Sequence, residues 1–97
     1  MLKILKVTED SLAPEYQNGD FVLVSKIPFL IVPQSPGDII AFHQPGFGLL
    51  IKRIQNLSPE GGVNVIGNHP DSVDSRVFGS VRQEDVIGKV IWHIRKP

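Results

Sequence analysis

Glycine and proline punctuate this chain from end to end, and that punctuation limits what it can fold into: nine Gly and eight Pro are spread through 97 residues. Proline removes a backbone donor and glycine favours positive φ, so most segments are short runs between turns and long helices are disfavoured. Between the breaks lie stretches rich in Val, Ile, Leu and Phe at 2–7, 21–26, 38–43, 49–55, 63–66 and 86–94. They predict a mainly β, turn-rich domain, with helical turns only after Ser11 and at Gln83–Asp85. Asn18-Gly19-Asp20 and Pro36-Gly37-Asp38 each stand just ahead of an apolar run, where a reversal should deliver the chain into a strand. Residues 58–62 read as a hairpin tip.

The length fits a single domain spanning 1–97. Ten Lys and Arg balance ten Asp and Glu, so the net field is weak and gives no reason to expect nucleic acid as a partner. With no cysteine there is no disulfide, no thiolate nucleophile and no thiolate metal site, which suits a reducing compartment. His43, His69 and His93 lack any paired ligand spacing, so neither a metal nor another cofactor is expected. Charges at Lys3, Lys6, Glu9 and Asp10 interrupt the N-terminus before a signal-peptide core can form, and the apolar run 28–33 is far short of the ~20 residues that span a bilayer. The expectation is a soluble, cytoplasmic protein without a transmembrane anchor.

Three motifs carry the chemistry: Ser11-Leu-Ala-Pro14, Ile51-Lys52-Arg53, and Asp71-Ser-Val-Asp-Ser-Arg76. A serine hydroxyl becomes a nucleophile when a neighbouring base takes its proton, and a lysine amine does so only when neutral. Burial is the means the sequence offers, because Lys52 follows Leu49-Leu50-Ile51 and precedes Arg53-Ile54 within an apolar strand. Period-two alternation sets Leu50, Lys52 and Ile54 on one face, with Ile51 and Arg53 on the other and Arg53 turned toward solvent. Taken singly, Lys52 also reads as a strand lysine reaching for water and Ser11 as a helix cap. The ordered combination favours a Ser-Lys pair.

Ser11-Leu12-Ala13-Pro14 with Gly19-Asp20 ahead of Phe21-Val22-Leu23-Val24, Gly37-Asp38-Ile39-Ile40-Ala41-Phe42, Lys52-Arg53-Ile54, and Gly67-Asn68-His69-Pro70-Asp71-Ser72-Val73-Asp74-Ser75-Arg76 occur in a fixed order. The set resembles the superfamily of type I signal peptidases and LexA-type self-cleaving repressors, and the Ser-x-Asp-Ser-Arg run places it on the signal peptidase side. Departures are Leu12, where the family usually has methionine, and Glu9, where it often has serine or glycine. The fold implied is a small signal-peptidase-like catalytic domain of coiled antiparallel sheets.

The resemblance implies Ser11 as nucleophile and Lys52 as general base, then acid. Ser72 would aim the lysine amine, while Asp74 and Arg76 would pair and hold that loop. Val7, Tyr16, Leu50 and Ile51 would line the pocket for small residues before the cut, although plain core packing is an equal reading of all four. The substrate would be a propeptide or leader bound as an extended strand beside the segments before Ser11 and before Lys52. Without a membrane anchor, the chain looks like the bacterial nickel-type superoxide dismutase maturation proteases. The rival reading is a catalytically weak or inactive module that binds extended peptides. Residues 28–33 are expected to be a buried crossover more than an exposed lip, and Trp92 to pack in the core or on a sheet face.

Overall fold

The computed structural model describes residues 2–8 and 12–97. Strands β1 (Leu2–Lys6), β2 (Phe21–Ser25), β3 (Ile39–Gln44), β4 (Gly48–Leu57), β5 (Val63–Ile66) and β6 (Val86–Ile94) form one antiparallel sheet in the order β1-β2-β6-β3-β4-β5. The last strand to leave the chain thus sits mid-sheet. Its first half pairs with β3, from Phe42↔Val86 to Ile40↔Lys89, and its second half pairs with β2, from Ser25↔Lys89 to Phe21↔Ile94. Register shifts at Leu23/Val24 and Ala41/Phe42 fall where β6 changes partners, and such bulges bend and twist a sheet. Gly88 lies at this bend, where a Cβ would come within 2.7 Å of the Ser25 carbonyl carbon and oxygen.

The predicted turns are in place. Asp20 N–H donates to Gln17 O at 3.0 Å and Asp38 N–H to Ser35 O at 3.1 Å, with Gly19 and Gly37 both at φ 97°. A type II reversal needs that positive φ at its third position, which explains glycine in both. Each turn ends on an aspartate whose carboxylate accepts the N–H three residues back, from Gln17 and from Ser35. The 58–62 hairpin closes through Ser58 N–H to Gly62 O at 2.9 Å.

Both faces of the sheet centre are covered, so β3 runs buried for four residues, Ile39 to Phe42, in place of alternating. Ile40, Phe42, Leu50, Ile54, Val63, Val65, Val81 and Val86 form the cluster on one face. Val7, Leu12, Val22, Val24, Ile39, Ala41 and Ile51 form the other.

Two expectations change. The 28–33 run is not a buried crossover: α1 (Ile27–Ile31) leaves Leu30 81%, Ile31 78% and Val32 59% exposed, and only Phe29 packs against the core. Pro28 starts this helix, and five residues make barely more than one turn, so little more than one side chain faces the sheet. A second short helix, α2 (Ser75–Phe78), was not expected; the Asp74 side chain caps it by accepting Arg76 N–H. Trp92 is 64% exposed and lies beside Leu23, itself opposite Ile4, on the outer sheet face. Among the described residues no helix is long and apolar enough to cross a membrane.

Candidate active site

Lys52 occupies the middle of β4 with no exposed surface. Its register partner is Ile40, so it shares the face of Leu50 and Ile54 as alternation requires. Ile51 points to the other cluster. Arg53 is on Ile51's side but does not run out to solvent: it is ion-paired with Glu15 and only 29% exposed. A partner 38 positions away, unseen in the strand's own pattern, draws it back over the surface.

Ser11 and Glu9 lie outside the described residues. The segment that follows Ser11 is fastened at several points. Leu12 is buried, and its carbonyl accepts Tyr16 N–H at 3.1 Å, closing a turn. The Asn68 Nδ2 group stands 3.0 Å from Leu12 O, 3.4 Å from Ala13 O and 3.4 Å from a Glu15 carboxylate oxygen. Further along, the buried Asp20 carboxylate accepts the N–H groups of Gln17 and Lys96, each at 3.0 Å, and contacts His93 Nε2 at 2.7 Å. These backbone donors, with His93 after them, hold the Asp20 carboxyl well below the usual carboxylate range. Tyr16 stacks on His93 with ring centroids 4.3 Å apart. Burial, with Glu15 adding to it, pushes the Tyr16 hydroxyl up against an opposing pull from Arg53.

The loop after β5 is organised by one carboxylate. Asp74 is fully buried; its Oδ2 accepts Gly67 N–H at 3.0 Å, Arg76 Nη2 at 2.8 Å and lies 2.9 Å from Ser72 Oγ. Its Oδ1 accepts Arg76 Nε at 2.9 Å and Arg76 N–H at 3.1 Å. Burial alone would raise this carboxyl, but the combined donors from Arg76, Gly67 and Ser72 hold it well below its ordinary value. The pair is therefore more than a surface salt bridge, because its carboxylate is buried. Arg76 also donates to His69 O at 3.0 Å and to Ser72 Oγ at 3.1 Å. Ser72 Oγ stands 2.9 Å from His69 O as well, so its single proton faces two acceptors.

Of the four residues expected at a pocket, Val7, Tyr16 and Ile51 meet in one cluster, while Leu50 belongs to the opposite face. Among the described residues there is no group of three or more His, Cys, Asp or Glu placed to hold a metal ion. Glu15, Asn68, Asp20 and His93 were not singled out as site residues. Their one sequence signal was that Asn68 and Asp20 sit inside the recognisable blocks; the contacts they make span 50 or more positions for Asn68 and 73 for the Asp20–His93 contact.

β5 pairs with β4 only from Arg53↔Ile66 onward. Along Gly48 to Ile51, ahead of Lys52, β4 has no strand on that side among the described residues.

The Peptidase S24-like family model matches residues 1–91. A curated relative, "Probable signal peptidase I-1" of Synechocystis sp., is 26% identical over 132 aligned positions that take in 89% of this chain and 67% of the relative. The alignment is longer than the chain itself, so the relative carries segments with no counterpart here.

Proposed function

Since the chain belongs to the Peptidase S24-like family, we propose that it is a serine endopeptidase in which Ser11 attacks the scissile carbonyl and Lys52 takes the serine proton, then passes it to the leaving amine. The observation that carries this reading is the complete burial of Lys52 mid-strand, next in the chain to the arginine that grips the segment following Ser11. A lysine is among the residues least often buried whole, and one so buried in a peptidase fold has a ready use as a base. Ser72, Asp74 and Arg76 act as support: Asp74 fixes the loop, and Arg76 and Asp74 together fix Ser72.

The substrate is an extended segment, a leader or propeptide, which adds as a strand along the β5-side edge of Gly48 to Ile51. Backbone pairing of this kind aligns a scissile bond without demanding many side-chain contacts. Val7, Tyr16 and Ile51 supply an apolar wall for the residues before the cut, and Leu50, on the other sheet face, does not join it. A nickel-type superoxide dismutase precursor is the first protein substrate to try, on the strength of the sequence resemblance.

The test is cleavage of a mixed peptide library by wild type and Ser11→Ala, read by mass spectrometry. Products that depend on Ser11 support a peptidase and reveal the residues preferred before the cut. Peptides bound by both proteins and cut by neither would favour a peptide-binding module.

A further inference from the structure

We propose that Glu15, Arg53 and Asn68 form a positioning clamp that sets the rate of the chemical step by holding the turn that follows Ser11 against the lysine strand; this rests on the Ser11/Lys52 reading above. The three residues link the two halves of the site through their chain neighbours. Arg53 directly follows Lys52 on β4, and Glu15 lies in the turn that follows Ser11, so a single ion pair ties the carrier of the base to the carrier of the nucleophile. Asn68 makes the second tie. It leaves the end of β5, the strand paired with β4, and directs its amide nitrogen at two successive carbonyls of the turn and at the Glu15 carboxylate.

Hydrophobic packing does not do this work alone. Leu12 is the only fully buried side chain between residues 12 and 19, with Tyr16 partly packed against the same cluster, and apolar contacts are non-directional, so they hold the turn down without fixing its exact position. A hydroxyl-to-amine proton transfer needs its partners at hydrogen-bond separation, and misplacement of about 1 Å costs roughly a hundredfold in rate. The ion pair is also too solvated on its Glu15 side, 53% accessible, to be mainly stabilising; such pairs contribute little to global stability. Their value is in geometry. The donor set is specific as well: three oxygens surround the Asn68 nitrogen, so a carboxylate at this position would face only acceptors.

The test measures kcat, KM and melting temperature for Asn68→Asp, Arg53→Gln and the exchange pair Glu15→Arg/Arg53→Glu, with Ser11→Ala in the same assay on a peptide from the library. Asn68→Asp and Arg53→Gln should lose about 10- to 100-fold in kcat with KM within about twofold. Their melting temperatures should stay within about 5 °C of wild type. The exchange pair should recover part of the kcat lost in Arg53→Gln, because it restores the ion pair with its sign reversed while Asn68 loses its acceptor at position 15. Ser11-dependent turnover that is indifferent to Asn68→Asp and Arg53→Gln would overturn the clamp alone, as would a folded exchange pair no better than Arg53→Gln. Absence of Ser11-dependent turnover would overturn the clamp together with the Ser11/Lys52 reading.

Discussion

Asp74→Asn preserves the shape of the side chain at the centre of the loop after β5 and removes its charge. Oδ2 of the aspartate serves Gly67, Ser72 and Arg76 Nη2, and Oδ1 serves Arg76 N–H and Nε. An asparagine keeps one acceptor oxygen, so in either orientation its own N–H groups confront donors that have lost theirs. Breaking one partner from a fully buried ion pair costs about 3–5 kcal/mol. Arg76 is 47% exposed and can rehydrate, which lowers the expected loss to about 2–3 kcal/mol. At ~4–8 °C per kcal/mol for a domain of this size, the melting temperature should fall by about 10–20 °C in circular dichroism melts at neutral pH. The gap should also depend on pH. The folded carboxyl sits below its unfolded value, so its stabilisation is fully present above pH ~4 and drains away as pH falls below that. Wild type and variant should therefore converge in acid. A variant melting within about 3 °C of wild type at neutral pH, or a gap that persists unchanged in acid, would refute the role given to Asp74.

Gly88→Ala would force a methyl group within 2.7 Å of the Ser25 carbonyl at the bend of β6; backbone cannot step aside as a flexible side chain does, so urea denaturation should show a loss of about 1–3 kcal/mol or more. On α1, Leu30→Ser and Ile31→Ser remove side chains that touch no core, and each should melt within about 2 °C of wild type. Phe29→Ala, which strips a ring from the core edge, should cost about 1–3 kcal/mol in the same melts.

The β framework was legible because its signals are local. Gly19-Asp20 and Gly37-Asp38 mark where β2 and β3 begin, and the Val- and Ile-rich runs between turns became strands to within about two residues. Lys52 was legible for a related reason: alternation fixes its face, and the apolar residues around it foretell its burial. What escaped was set by partners distant in the chain. Nothing beside Arg53 announces Glu15, and nothing beside Asp20 announces His93, since those contacts exist only after the sheet has assembled. The exposure of α1 was missed for a different reason. An apolar run was assumed to need burial, yet a helix this short buries little beyond Phe29, and single apolar side chains are common on protein surfaces. Leu50 and Ile51, expected together at a pocket, belong to opposite clusters because adjacent strand residues face opposite ways.

Peptide cleavage by wild type and by Lys52→Arg, followed across a wide pH range with both proteins verified as folded by circular dichroism, tests Lys52 as the base most directly. Guanidinium keeps its proton at any pH a protein tolerates. Wild-type kcat/KM should rise with pH along a single ionisation, and Lys52→Arg should show no turnover at any pH. An arginine variant that still cleaves, with the same pH profile as wild type, would contradict the Ser11/Lys52 mechanism.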